Sequence, residues 1–480
     1  MLTRRQLPFL LSLMFLMCLG ASAAGKDGLR LVVRESLIEN YSGPADIFEP
    51  KPPLYYTVPS GNGYLVVVNG KKGREFDRLV SGPHDTPDGK HVWYIGERSG
   101  KQFVSFDGVE EGEFDSFVPV GRDSIEFSAD SSHHVYWGKR ENQYCAVFDG
   151  IVGQRYELIQ GLVISDDGLH IAYKIRRGKS EVVVVDGKED KPYSEIGAHI
   201  LLSPVGGRVM YTVKAGNTWI PVIDGKEENH YDGDKIVFSP DGKHVACVGS
   251  RDGKQAIWLD GQELACYNTY EFEKPVFSGD SKHLAYVLKK DRHKFVVIID
   301  GKEGKTYRYV RNVASSPGNG RIIYMAKLFD KPREVLVGGK LRAEDEFAVV
   351  ENGEEGPAFN EIRPIEFSPD GKRLAYLGRS TVPGTGGINS MTVVLDGKQL
   401  GPYDYVVTHS RLGFTLDHRR FIYTVRQGGN YRFVVDGAET GEYGKIETGF
   451  VRESTGRIRF GATKGGKTYR VDVEIVEDKR

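Results

Sequence analysis

Cysteine is scarce, at four in 480 residues. The three that follow the first apolar run, Cys145, Cys247 and Cys266, show no spacing that would hold zinc. Cys145 and Cys247 stand inside apolar strand patterns, so buried thiols are expected rather than a disulfide. Neither charge is in excess: 65 Lys and Arg face 66 Asp and Glu. That balance excludes a general nucleic-acid binder, since phosphate contacts need a basic surplus. A Gly-x-Ser-x-Gly elbow is missing, which excludes a serine hydrolase built on that turn. Gly384-Thr385-Gly386-Gly387 has no helix pattern or Lys-Ser/Thr pair after it, which argues against a phosphate cradle. After residue 24 no apolar run is long enough to span a bilayer, so no transmembrane segment is expected in the mature chain.

The first 24 residues read as an export signal. Arg4 and Arg5 precede the apolar run Leu7 to Leu19, and Ala21-Ser22-Ala23-Ala24 offers small residues for cleavage. Both the general secretory and the twin-arginine routes fit, and Met17 before Cys18 argues against a lipid anchor. The expected location is periplasmic or extracellular.

Glycine is abundant, at 59 residues, and it is periodic. Asp-Gly or Asn-Gly closes an apolar run at glycines 70, 108, 150, 187, 225, 261, 301, 353, 397 and 437, and a Phe or Tyr follows six residues after each. A period near forty residues means one supersecondary unit repeated. Residues 236 to 272 show it well. Ile236–Ser239 and His244–Val248 are two strands around Pro240-Asp241-Gly242. Ala256–Leu259 is a third, and Asp260-Gly261 turns into a fourth that carries Tyr267, because this dipeptide suits a type I′ hairpin. Second strands such as Leu284-Ala285-Tyr286 are apolar at consecutive positions, so both their faces are covered.

The spacing predicts an all-β protein, a β-propeller of ten to eleven four-stranded blades in two rings or one large ring. Two rings divide the chain into 1–24 (signal), 25–272 (six blades) and 273–480 (five blades). Ile47–Pro50 and Leu54–Val58 match the first two strands of the first unit. Arg457–Ala462 and Tyr469–Ile475 match the second and third strands of a last unit whose fourth strand Leu29–Arg34 would supply. The long interval from Gly301 to Gly353 predicts an extra hairpin or loop around Glu334 to Asp345.

Phe238-Ser239-Pro240-Asp241-Gly242-Lys243 and Phe367-Ser368-Pro369-Asp370-Gly371-Lys372 resemble the WD40-like repeat of the TolB-type propellers, with Ser165-Asp166-Asp167-Gly168 as a degenerate copy. The resemblance implies a propeller fold and leaves function open, because the same repeat occurs in peptidase-linked and binding propellers. The chain departs from TolB in lacking a separate N-terminal α/β domain pattern.

No catalytic residue, cofactor or metal ligand is predicted. The Asp of each Ser-Pro-Asp-Gly segment is read as a turn residue rather than a calcium ligand. One basic position recurs before the second strand: His91, His134, His170, Arg208, His244, His283, Arg321, Arg373, Arg420 and Arg457. These side chains either cover the blade edge and pair with a neighbouring turn Asp, or form a positive rim that attracts an anionic partner. The expected function is a noncatalytic scaffold that binds an unidentified protein or envelope polymer. The alternative is a hydrolase or lyase with an axial active site.

Overall fold

The computed structural model describes residues 22–24, 29–38, 55–61, 63–117, 125–216, 218–228, 231–251, 254–267, 274–329, 333–337, 340–381, 389–407, 413–415, 419–446, 451–452 and 457–477. Among them there is no helix, and none of the sheets closes on itself. The repeat folds as expected into four-stranded antiparallel meanders in sequence order. In the sheet of residues 231–267 the strands are Tyr231–Phe238, Val245–Arg251, Lys254–Leu259 and Gln262–Tyr267. Asp260 and Gly261 have φ of 51° and 81° and bring Leu259 opposite Gln262, the type I′ geometry that their residue types favour.

The second and third strands carry most of the buried residues, and within each unit successive sheets pack against one another. Trp93, Ile95, Val104 and Phe114 of one sheet form a single cluster with Tyr136, Cys145 and Val147 of the next. Burying one such aliphatic or aromatic side chain stabilises the fold by roughly 1.5–3 kcal/mol. Similar clusters join the sheets that follow. The aromatic six residues after each hairpin glycine is part of this packing. Tyr156 meets Tyr173 edge-on at 6.0 Å, Tyr193 meets Tyr211 at 6.2 Å, and Tyr307 meets Tyr324 at 5.9 Å, each reaching the second strand of the following sheet.

The chain forms two compact units, one of residues 51–331 with 347–356, the other of 1–50, 332–346 and 357–480. In the second unit, Leu29–Leu37 pairs antiparallel with Lys467–Glu477, which pairs with Arg457–Lys464. The expected loan of an N-terminal strand to the last repeat is therefore present. Ser22–Ala24 adds a further strand outside it. The expected insertion is a separate hairpin, Arg333–Val337 with Lys340–Glu344. Cys145 and Cys247 are buried and Cys266 is exposed, and none of the three is in a disulfide. Ile47–Pro50, Gly384–Gly387, Cys18 and the export signal up to residue 21 lie outside the described residues.

Candidate functional site

The recurrent basic residue sits where the first and second strands meet, and its surroundings are nearly the same from sheet to sheet. In the sheet of residues 231–267, Ser239 Oγ donates to Asp241 Oδ1 at 2.6 Å and accepts from His244 N at 3.0 Å. Lys243 N also donates to Asp241 Oδ1, at 3.1 Å. The Asp241 carboxyl is accordingly held at about 2, chiefly by the Ser239 hydroxyl. This is a local side-chain turn, and it satisfies the carboxylate within the turn itself. Asp241 N in turn donates to Ser281 Oγ of the following sheet at 2.9 Å, linking turn to turn.

The basic side chain points to the hairpin aspartate of its own sheet. Distances from Nδ1 to the carboxylate are 2.6 Å for His91 and Asp107, 2.8 Å for His170 and Asp186, and 2.6 Å for His244 with Asp260 and His283 with Asp300. Arg208 Nε donates to Asp224 at 2.8 Å, and Arg373 Nε to Asp396 at 2.8 Å. The second carboxylate oxygen accepts a backbone N–H from the start of the second strand, as Val245 N to Asp260 Oδ1 at 2.9 Å. One aspartate thus holds the hairpin, the second strand and the basic side chain together. Where the hairpin has Asn352 instead, its Oδ1 still accepts from Ile322 N at 3.1 Å, and Arg321 turns to Glu351 at 2.5 Å. Arg420 and Arg373 both reach Asp436, at 3.0 and 2.9 Å.

Two members of the expected series differ. His134 lies inside the strand His134–Arg140, with its side chain 5% exposed, and the recurrent place belongs to its neighbour His133, whose Nδ1 is 2.6 Å from Asp149 Oδ2. The separation of sixteen residues from the hairpin Asp that His91, His170, Arg208 and His244 share marks His133 in the sequence. His134 instead places Nε2 3.0 Å from Glu111 Oε2 and stacks on Phe106 at 4.6 Å. Tyr136 OH donates to the same Glu111 oxygen at 3.2 Å. Arg457 has no hairpin partner, because its sheet is completed by Leu29–Leu37, and its guanidinium lies 4.0 Å from Glu474. The hairpin aspartates, His133 and Glu111 are the residues of this network that the basic series alone does not reveal.

The first strands contribute a cleft of about 460 Å³ in the 51–331 unit, lined by Val237, Phe238, Pro240, Lys274, Pro275, Val276, Phe277, Asn312 and Val313. Its walls are apolar, with one ammonium and one amide. A second cleft of about 450 Å³ lies beside the hairpins of two consecutive sheets and is lined by the paired Arg208 and Asp224 together with Lys226, Glu228, Lys243 and Asp260.

No protein-family model and no curated protein matches the sequence. Among solved structures the chain is similar to the β-propeller domain of the Trilobed protease from Pyrococcus furiosus, at 15% identity over 57% of this chain and 94% of that one, with a TM-score of 0.26. It is similar to the tricorn protease at 11% identity over 86% of this chain, with a TM-score of 0.27, and spans 47% of that protein. The Dos1 propeller matches at 10% identity over 82% of this chain and 91% of that one, with a TM-score of 0.26. Overlap this low identifies neither fold nor function for this chain.

Proposed function

We propose that this chain is an exported, noncatalytic β-propeller that binds another protein or an envelope polymer. In this reading its four-stranded sheets are blades, in one large ring or in two. The periodic meanders buried on both faces support the architecture. The likeness of residues 238–243 and 367–372 to the TolB repeat supports an envelope setting, and the arginine pair before the apolar run of residues 7–19 supports export. The observation that carries the noncatalytic reading is the lining of the first-strand cleft. Val237, Phe238, Val276, Phe277 and Val313 are apolar, with Lys274 and Asn312 as the polar members, and in the second cleft Asp224 and Asp260 are taken up by Arg208 and His244 of the hairpin network. Recognition then falls to surface loops carried on a rigid frame. The hairpin ion pairs are part of that frame, because each basic group faces a carboxylate of its own sheet.

Affinity capture from the native envelope fraction with the purified chain tests this reading, with turnover assays on glycans and small esters run alongside. Retention of a defined partner and no turnover is the expected result. Turnover that an added Lys274→Ala substitution abolishes would overturn it. A triple variant, His244→Gln, His283→Gln and Arg321→Gln, is expected to keep both partner capture and its salt dependence. Loss of capture would assign binding to the basic edge.

A further inference from the structure

The residue after each hairpin glycine begins the fourth strand, the free edge of its sheet. Lys71, Lys188, Lys226, Lys302 and Lys398 hold this place in five sheets, and Gln262 and Glu354 in two more. Charge on an open edge keeps other strands from pairing with it. Three sheets depart from the pattern: Ala438 holds the place buried in one, and the other two are neighbours. Val109 and Ile151 take the place with 67% and 72% exposure, and Val152 beside Ile151 is 37% exposed. Gly150 lies against the Glu111 side chain, which brings these two edges side by side.

The strand Ile151–Tyr156 is exposed along its first five residues and pairs on one side only, with Gln143–Phe148. The two-residue hairpin makes Phe148 and Ile151 a hydrogen-bonded pair, so the N–H and C=O of Val152 face away from the sheet. A bulge follows, and the register resumes with Cys145 opposite Arg155, two residues from Val147 opposite Val152. Arg155 therefore presents its backbone groups outward as Val152 does. Antiparallel pairing of this strand with its own copy, about a two-fold axis between Gly153 and Gln154, sets Val152 opposite Arg155. Outward-facing groups then meet outward-facing groups at both ends.

The charge pattern selects the same strand. Arg155 is its one charged residue, and its guanidinium is already bound to Glu141 of its own sheet at 2.7 Å. The same two-fold operation on Val109–Phe114 would set Glu110 opposite Glu113, a like-charge contact that disfavours pairing. We propose that a second copy of this chain pairs with the Ile151–Tyr156 edge, joining two sheets into one across an isologous interface. Six residues a side make a small contact, so the dimer is weak and concentration-dependent.

Sedimentation velocity on the purified full chain tests this, together with hydrogen exchange at the Val152 and Arg155 amides. The weight-average mass is expected to rise toward that of a dimer between about 1 µM and about 500 µM, with both amides gaining protection over the same range. Ile151→Lys places at this edge the residue that five sibling sheets already carry, so the fold is retained. It is expected to weaken association at least about tenfold. A monomer mass at every concentration would overturn the proposal, as would a dimer that forms without protection of these amides.

Discussion

His244 Nδ1 lies 2.6 Å from Asp260 Oδ2, while Asp260 Oδ1 accepts the Val245 N–H at 2.9 Å. The two carboxylate oxygens thus do separate things, and substitutions can tell them apart. Asp260→Asn keeps an acceptor for Val245 and changes only the His244 contact, which is about half in water, an expected cost below about 1 kcal/mol. Asp260→Ala removes both contacts, an expected cost of about 1–3 kcal/mol. Urea denaturation midpoints of the two variants check the order.

The turn aspartates set an acid limit. Asp241, held at about 2 by Ser239, and Asp88, held at about 2 by Thr86, titrate below their unfolded values near 4. Because folding lowers these values, the stability they contribute is fully present above about pH 4 and is lost as pH falls through about 2. Ser239→Ala is expected to raise the Asp241 titration toward about 4, read from its side-chain carboxyl resonance by NMR.

Several glycines inside second strands make room for the aromatic of the preceding repeat. A Cβ on Gly378 would stand 2.4 Å from the Phe359 ring, and one on Gly138 would stand 2.6 Å from Phe114. Gly378→Ala is expected to cost about 1–3 kcal/mol through overpacking. Adding Phe359→Leu should return part of that loss, giving a measurable coupling in a double-mutant cycle of thermal melts.

Buried tyrosines set the alkaline limit. Burial pushes Tyr403 up to about 12 and raises Tyr94 and Tyr324 as well. A phenol whose value is raised by folding adds stability that is present below its unfolded value near 10 and is lost as pH rises through the folded value. Phenolate absorbance is expected to appear together with loss of the β-sheet dichroism signal between about pH 10 and 12. Exposed phenols such as Tyr56 ionise in the intact fold, so the outcome that counts against it is full phenolate absorbance, buried rings included, while the sheet signal holds.

The hairpins were legible because they rest on local chemistry. Asp260-Gly261 needs positive φ at both residues, and few residue pairs supply it. Tyr267, Tyr307 and the other aromatics at fixed spacing gave the strand that follows, and consecutive apolar residues such as Leu284-Ala285-Tyr286 gave burial on both faces. The basic series was read only in part. Two adjacent histidines, His133 and His134, compete for one position, and strand patterning does not rank them. The hairpin Asp sixteen residues on does, since Asp149 takes up His133. The apolar cleft and the Glu111 contacts to His134 and Tyr136 were hidden for a different reason, as they depend on how successive sheets pack rather than on any one repeat.

The pairing of Leu29–Leu37 with Lys467–Glu477 sets the order in which this protein is finished. During synthesis the early strand emerges hundreds of residues ahead of its partner, with Leu31 and Val33 still uncovered. The late strands Arg457–Lys464 and Lys467–Glu477 emerge with one edge bare. Both wait on a single long-range closure, which is entropically expensive and therefore slow to nucleate. Until it happens, the nascent chain carries two matching sticky edges, and a neighbouring nascent chain offers the same two. Crowded molecules can then trade the early strand with one another, so the joint that completes one copy is also the place where two copies become entangled.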